Sequence, residues 1–195
     1  MTITASPDHT ASPDHTAFPS HTVESAPAAA RRAMQATTDR LGYLPSPVAR
    51  MATSPQTLDG FLKLSGIFES TTLSQLDREV LILTIATRNE CHVCVAMHTA
   101  KLTAMSADAG LIEALRSQQP LADGRLEALR TFTLEVLATA GAVTAAGLQA
   151  FLSQGYTSQN ALEVVLGIGT YTLSTFANRL TGAPVDDQLA AFAPR

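Results

Sequence analysis

The sequence predicts an all-α fold of seven or eight helices packed in antiparallel pairs. No segment alternates polar and apolar residues between turn residues in the way of a half-buried strand. Apolar residues instead recur at helical spacing in segments that follow Ser, Thr or Asp and stop near Gly, which are residues that cap helices. Hydrophobic residues make up 46% of the chain and charged residues 15%, which is ample apolar surface for a core between such helices.

The N-terminal segment is a short repeat. The sequence ASPDHT occurs at residues 5–10 and again at 11–16, and a diverged AFPSHT follows at 17–22. A six-residue period rich in Pro, Ser and Thr cannot bury a core. We therefore predict a disordered tail at residues 1–22 and a single domain at residues 23–195.

Capping residues mark the predicted helices along that domain. An alanine-rich helix at residues 28–41 ends at Gly42, and residues 43–48, which include two prolines, are predicted to be extended. Each later helix follows a residue whose side chain can cap its first turn; these are Ser54, Ser74, Ser106 or Asp108, Asp123, Thr144 and Ser158. The last of them begins a long apolar helix that ends at Gly182, and a short helix at residues 185–192 is expected to follow.

The most informative stretch is EVLILTIATRNECHVCVAMH at residues 79–98, which contains both cysteines of the chain. It predicts two helices, at about residues 75–88 and 91–105. Asn89 lies between them and tolerates the left-handed backbone that a tight turn needs. The two helices should therefore form an antiparallel hairpin.

The hairpin brings four reactive side chains together. Glu79 and His98 each lie nine or ten residues from the turn. At a rise of about 1.5 Å per residue they fall at the same height and can face each other. Cys91, Cys94 and His98 are spaced i, i+3, i+7, so they share one face of the second helix.

These residue types in this arrangement favour a thiol redox or nucleophilic site. Pairing with Glu79 would orient the imidazole of His98 so that its other nitrogen reaches Cys94, one turn away. Such a relay can take a proton from a thiol and pass it to a leaving group. Both cysteines lie in the first turn of their helix, where the helix dipole stabilises a thiolate, and the nearby Arg88 adds positive potential.

Zinc binding and simple burial are the competing interpretations of the cysteine pair. Three zinc ligands are available in Cys91, Cys94 and His98. The fourth would be Glu79 or His92, and His92 should point off the shared face of the helix. Because a structural zinc site needs four ligands and the chain has no second Cys-x-x-Cys or His pair, we expect neither a metal nor a cofactor.

Composition also bounds the partners and the location. The net charge of −4 offers no basic surface for nucleic acid. No apolar run is long enough to span a membrane, and the N-terminus lacks the features of a secretion signal. We therefore expect a reducing, cytoplasmic location, where a Cys-x-x-Cys pair is more often redox active than a structural staple. The excess of apolar residues indicates an interface between copies of the chain.

At the hairpin the sequence resembles the carboxymuconolactone decarboxylase superfamily, in particular its alkylhydroperoxidase D-like (AhpD-like) branch. That branch carries a glutamate, eleven further residues and then C-x-x-C-x-x-x-H. Glu79, Cys91 and the residues after them match both spacings. Residues 41–55 and 155–180 are similar to the lead-in segment and the closing long helix of such proteins.

The resemblance implies an AhpD-like helical domain that forms homo-oligomers, often trimers or hexamers. It implies a thiol-dependent hydroperoxidase with a peroxide substrate and a cellular dithiol as reductant. Carried over, Cys94 attacks the peroxide, Cys91 resolves the oxidised thiol, and His98 with Glu79 relays protons. Studied members have a histidine immediately before the second cysteine, where this chain has Val93, so the relay should be shorter or run through water.

Two other functions stay open on the sequence alone. A decarboxylase-like lyase would use His98 and Glu79 as acid and base without redox chemistry. The true lactone decarboxylases of the superfamily usually lack the Cys-x-x-Cys pair, which makes that activity a weaker expectation. A non-catalytic oligomeric module, in which the cysteines only pack, is the third alternative.

Overall fold

The computed structural model describes residues 17–194, and this range contains nine α-helices and no β-strand. The helices are α1 (Ala28–Leu41), α2 (Ser46–Met51), α3 (Pro55–Glu69), α4 (Gln75–Arg88), α5 (His92–Ala104), α6 (Ala109–Arg116), α7 (Gly124–Ala138), α8 (Ala145–Ser153) and α9 (Ser158–Thr181). A 3-10 helix, Asp187–Phe192, follows α9. The all-α prediction is confirmed. Within residues 17–194, no helix combines the length and apolar character needed to cross a lipid bilayer.

Side-chain caps begin most helices where the sequence predicts them. The side chains that accept a hydrogen bond from the first turn belong to Ser54, Ser74, Asp108, Asp123, Thr144 and Thr157. The cap of α9 is thus Thr157 and not Ser158, because Thr157 forms a capping box with Asn160. Gly42 and Gly182 end α1 and α9 in the left-handed conformation that glycine adopts without strain.

Helix α2 is the main departure from the predicted elements. Residues 43–48 were expected to be extended, but α2 begins at Ser46. Its prolines do not prevent this, since Pro45 precedes the helix and Pro47 lies in the first turn, where the missing N–H has no intrahelical partner anyway. The carboxylate of Asp186, distant in sequence, accepts the Ser46 N–H at 3.0 Å and anchors this start.

The turn between α4 and α5 uses a different residue from the predicted one. Asn89 has a φ of −87°, and Glu90 carries the positive φ of 51°. Asn89 is instead buried, and its side-chain amide donates to the Thr175 hydroxyl on α9 at 2.9 Å. A third helix therefore holds the turn in place.

Helix α4 is the centre of the fold. Every residue from Glu79 to Thr87 is buried, so the helix is surrounded on all sides. It packs against α5, α6, α7 and α9. At Gly167 of α9 an added Cβ would come within 2.7 Å of Phe68 and 2.8 Å of Leu81, so only glycine allows this close approach to α3 and α4.

A buried ion pair fixes the start of α4, two residues before Glu79. The carboxylate of Asp77 accepts two hydrogen bonds from Arg125 at 2.8 Å and one from the Tyr156 hydroxyl at 3.1 Å. Burial alone would raise the pKa of Asp77, but the bonds from Arg125, Ser74 and Tyr156 hold it below the ordinary value. The start of α4 is thereby tied to α7 and to the segment before α9.

The third repeat unit, residues 17–22, packs on the domain. The Phe18 carbonyl accepts a hydrogen bond from Arg50 at 3.1 Å, and the His21 N–H donates to the Ala49 carbonyl at 3.2 Å. Ordered contacts therefore begin before the predicted boundary at residue 22. The first two repeat units lie outside the described residues, so a disordered tail stays a prediction for them.

Candidate active site

The two thiols lie against each other at the start of α5. Cys91 is the N-cap residue and Cys94 lies one turn further on, which places both at the positive end of the helix dipole. Both are free thiols, with 1% and 5% of their surfaces exposed, and their sulfurs are 2.8 Å apart. The two sulfurs are therefore in contact, as the formation of a disulfide requires.

The contact between the two thiols shifts their pKa values in opposite directions. The hydrogen bond shared with Cys94 lowers the pKa of the Cys91 thiol, with help from Asn178 and Arg179. The same hydrogen bond, together with burial and the charge on Cys91, raises the pKa of Cys94. Within the pair, these shifts favour a thiolate on Cys91 over one on Cys94.

Glu79 and His98 face each other as the residue count predicts. The distance from His98 Nδ1 to Glu79 Oε2 is 2.6 Å, and both side chains are buried. Burial would raise the pKa of Glu79, but the charge and hydrogen bond of His98, with Lys101, outweigh it and lower that pKa. The carboxylate is therefore ionised and fixes the ring of His98.

Lys101 connects this pair to solvent. Its Nζ lies 3.4 Å from Glu79 Oε1, and its side chain is 45% exposed. The chain from His98 through Glu79 to Lys101 gives a proton route to the surface. Lys101 is one turn beyond His98 on α5, and this spacing is the signal that could have indicated it.

Helix α9 closes the site with three polar side chains that were not predicted. The Asn178 amide donates to Cys94 Sγ at 3.2 Å. The ring of Tyr171 meets the His98 ring edge to face, with centroids 5.6 Å apart, and Ser174 lies between Tyr171 and Asn178 along the helix. Burial raises the pKa of Tyr171 to about 12, so its hydroxyl stays protonated. Their i, i+3, i+7 spacing matches that of the Cys–Cys–His set and was a usable signal.

The predicted hydrogen bond between His98 and Cys94 is not formed. Among the described residues, Cys94 is bonded to Cys91 and Asn178, and the ring of His98 is bonded to Glu79. The site therefore consists of two pairs of side chains, the thiols of Cys91 and Cys94 and the His98–Glu79 pair. Within the described residues no hydrogen bond joins one pair to the other.

A cavity of about 580 Å³ joins these two elements. Cys94 and His98 both line it, whereas Cys91 does not. Most of the other lining side chains are apolar, among them Leu41, Pro47, Val48, Met51, Phe61, Leu62, Val93, Met97 and Leu189. The cavity can hold an apolar organic molecule with its reactive atom between the sulfur and the imidazole.

The structure also tests what the sequence predicted for the residues next to the thiols. Val93 is buried in the cavity wall, and His92 is exposed, as expected for a side chain off the shared face. The cation that lowers the pKa of Cys91 is Arg179 of α9, not the predicted Arg88. Within the described part of the chain, no three His, Cys, Asp or Glu side chains are grouped to hold a metal ion.

A buried Cys-x-x-Cys pair beside a Glu–His pair in an all-α domain defines an AhpD-like fold, in agreement with the predicted resemblance. Residues 55–133 match the model of the carboxymuconolactone decarboxylase family, and the matched segment contains the whole α4–α5 hairpin. Among curated protein sequences, none is similar enough to count as a match.

Solved structures share the fold over most of the chain. An AhpD core protein, peroxidase-related, from Ralstonia eutropha JMP134 is 19% identical, with a TM-score of 0.79 over 91% of this chain and 97% of its own. A peroxidase-related protein from Silicibacter sp. TM1040 is 18% identical, with a TM-score of 0.74 over 95% and 96%. The debrominase Bmp8, in a cysteine-to-alanine variant bound to 2,3,4-tribromopyrrole, is 13% identical, with a TM-score of 0.66 over 83% and 87%.

Proposed function

We propose that the protein is a thiol-dependent hydroperoxidase that reduces organic hydroperoxides while Cys91 and Cys94 are oxidised to a disulfide. One observation carries this proposal: the sulfurs of Cys91 and Cys94 lie 2.8 Å apart, and Cys94 lines an apolar cavity that His98 also lines. The alkylhydroperoxidase D-like resemblance and the peroxidase-related structures with the same fold support the same chemistry.

The first step oxidises Cys94. Its thiolate attacks the terminal oxygen of the hydroperoxide, an S–O bond forms and the O–O bond breaks. Sulfur loses two electrons to the peroxide, which leaves as an alkoxide. Protonated His98, held by Glu79, gives its proton to the alkoxide and releases the alcohol.

The second step forms the disulfide. Cys91 passes its proton to His98, and the resulting thiolate attacks the sulfur of the Cys94 sulfenic acid. The S–S bond forms, hydroxide leaves, and His98 protonates it to water. A cellular dithiol, in the reducing cytoplasm that the composition favours, then returns the disulfide to a thiol and a thiolate and restores the proton on His98.

Exposure to the cavity determines which sulfur reacts with the peroxide. The pKa shifts favour a thiolate on Cys91, but the two sulfurs are 2.8 Å apart, so a proton can pass from Cys94 to Cys91. Cys94 lines the cavity and Cys91 does not. The attacking thiolate is therefore proposed to be Cys94, with Cys91 as the resolving thiol.

A thiol count tests the activity and its substrate class together. One equivalent of cumene hydroperoxide is expected to convert two free thiols per chain to none. The rate should exceed that with hydrogen peroxide by at least about tenfold, since burying the aromatic group in the apolar cavity is worth about 1.5–3 kcal/mol. Stopped-flow mixing followed by titration of the remaining thiols measures both quantities.

The same experiment separates the alternatives. Thiols that survive excess hydroperoxide in the folded protein contradict the proposal and favour a module in which the cysteines only pack. If a lyase substrate were turned over after both cysteines became serine, the Glu79–His98 pair would be acting as acid and base. Equal rates with cumene hydroperoxide and hydrogen peroxide would contradict the role given to the cavity.

Reductive debromination is a second candidate function. The aromatic residues Phe61 and Tyr171 line the cavity, which suits a flat apolar ring, and the fold is shared with the debrominase Bmp8. Thiolate attack on bromine, protonation of the ring carbon by His98 and displacement of bromide by Cys91 would give the same disulfide. Bromide release from 2,3,4-tribromopyrrole, with the loss of two thiols per bromide, distinguishes this reaction.

We propose that the chain assembles with further copies of itself through the outer face of α9. Leu162, Val165 and Phe176 are spaced i, i+3, i+14 on that face and are 73%, 48% and 60% exposed. From residue 158 to 178 the helix has a single charged residue, Glu163, which is buried. Exposed apolar side chains along one uncharged helix face mark an interaction surface, and a second copy in a closed homo-oligomer, such as the implied trimer or hexamer, would cover it.

Changing Phe176 tests this face. Phe176→Lys places a charge within the stripe and is expected to shift the protein from oligomer to monomer at equal concentration, because an unpaired charge cannot be buried in an apolar interface without a large cost. Sedimentation equilibrium gives the mass. Leu41→Lys, at a 46% exposed position on α1, is the control and should keep the oligomer. A monomeric wild type, or an unchanged mass in Phe176→Lys, would contradict the proposal.

A further inference from the structure

The amide of Asn178 lies on the two sulfurs. Its Nδ2 is 3.2 Å from Cys94 Sγ, 3.9 Å from Cys91 Sγ and 3.4 Å from the Ser174 hydroxyl. Only 3% of the residue is exposed, and it forms part of the cavity wall. The amide therefore touches the atoms that react in the proposed function.

The other end of this amide is unsatisfied. Oδ1 of Asn178 is buried and accepts no hydrogen bond from any residue in the described range. A buried acceptor without a donor costs free energy, and most proteins avoid it. The orientation of the amide is therefore set by its contact with the sulfurs, at the expense of its own carbonyl oxygen.

We propose that Asn178 is a catalytic residue of the thiol pair. Its N–H stabilises the negative charge on the sulfurs and is the donor that accompanies the charge when it moves to Cys94. Its carbonyl oxygen is the acceptor for the O–H that Cys94 gains as a sulfenic acid. The first role concerns the thiols alone, and the second rests on the proposed hydroperoxidase function.

Each stage of the proposed reaction has a use for one end of the amide. Before attack the sulfur carries a full charge and accepts the N–H, and charged acceptors form the stronger hydrogen bonds. After attack the sulfur is neutral and carries a hydroxyl group, which is a donor. The carbonyl oxygen on the same amide group is an acceptor without a partner, and rotation of the amide about its Cβ–Cγ bond exchanges the two contacts.

Other groups also influence the charge on the thiols and must stay unchanged in a test. They are His98 on α5, Glu79 on α4 with the adjoining Lys101, and Tyr171 and Arg179 on α9. None of these charged or titratable groups donates a hydrogen bond to a cysteine sulfur within residues 17–194, whereas the Ser174 hydroxyl, which the Asn178 amide contacts, also lowers the pKa of the Cys94 thiol. The contribution of Asn178 can therefore be separated from theirs by changing that residue alone.

Two variants of Asn178 test the proposal. Asn178→Leu keeps the volume but removes both the donor and the acceptor. Asn178→Ala leaves space beside the cavity for a water molecule, which can donate in place of the amide. The pH midpoint of iodoacetamide alkylation is expected to rise by about one unit or more in Asn178→Leu, which is about tenfold less thiolate at a given pH, and by less in Asn178→Ala.

Thermal stability provides the control. If Asn178 served only for packing, the variant with the lower melting temperature would also be the one with the larger change in the alkylation midpoint. Asn178→Ala opens a cavity and should have the lower melting temperature of the two, although its thiols are the less affected. Thr170→Val, which removes a buried hydroxyl on the same helix that bonds to the Leu166 carbonyl, should leave the midpoint unchanged.

The outcomes keep this inference distinct from the hydroperoxidase proposal. Midpoints in both Asn178 variants equal to that of the wild type would overturn the role of the N–H, whether or not the protein reduces peroxide. If the midpoints rise but trapping with dimedone finds an equally long-lived sulfenic acid in Asn178→Leu and in wild type, the role of the carbonyl oxygen is overturned. A wild type inert to hydroperoxide, with the midpoints in the expected order, leaves the first role in place and removes the second.

Discussion

Cys94→Ser is expected to reduce hydroperoxide turnover to the background rate, whereas Cys91→Ser should still consume one equivalent. The sulfur of Cys94 is the one that the cavity reaches, so its removal leaves no thiolate in contact with the substrate. In Cys91→Ser the attack on peroxide is retained, but no second thiol is present to displace hydroxide. The sulfenic acid therefore persists and the cycle stops after one event.

Trapping with dimedone followed by mass spectrometry distinguishes the two variants. One adduct per chain is expected at Cys94 in Cys91→Ser, and none in Cys94→Ser. The attack in Cys91→Ser should be slower than in wild type, since the hydrogen bond shared between the thiols is lost. Turnover that survives in Cys94→Ser, or an adduct on Cys91 in that variant, would assign the attack to the other sulfur.

The central hairpin could be predicted from sequence because its geometry is local. Helix α4 begins and ends at the predicted residues, because the Ser74 cap and the end of the helical pattern are both features of the local sequence. The facing of Glu79 and His98 follows from counting residues on either side of a turn, because the rise per residue of a helix is constant. Tertiary contacts were not needed for either conclusion.

Features set by contacts distant in sequence could not be predicted in this way. Asn89 does not adopt the positive φ because its side chain is bonded to Thr175, 86 residues away. The start of helix α2 likewise depends on the carboxylate of Asp186, which is distant in sequence and accepts a hydrogen bond from the first residue of the helix. The cavity, the contact of Asn178 with the thiols and the pairing of Lys101 with Glu79 depend on how α9 and α5 pack; residue spacing places Lys101 and Asn178 on the right helix faces but does not say what those faces meet.

Glu79→Gln is expected to lower the rate of hydroperoxide reduction by on the order of 10²-fold, at the low end of what a positioned proton donor contributes. The amide of Gln can still meet the ring of His98, but it has no charge to stabilise the protonated imidazole that must deliver a proton to the alkoxide. Alkylation of the thiols by iodoacetamide, which needs no proton for its leaving group, should change much less. That contrast separates a proton relay from a general disturbance of the site.

The same variant should change how stability depends on pH. The pKa of Glu79 is lowered in the folded state, so the carboxylate contributes stability above its unfolded value of about 4.5 and loses it as the pH falls through the folded value. Urea unfolding of Glu79→Gln should therefore show a smaller loss of stability in acid than wild type. Glu113→Gln, at an exposed position on α6, is the control and should follow wild type in both experiments. An unchanged reduction rate in Glu79→Gln would mean that the protons reach the alkoxide without the pair, and the relay from His98 through Glu79 to Lys101 would have to be abandoned.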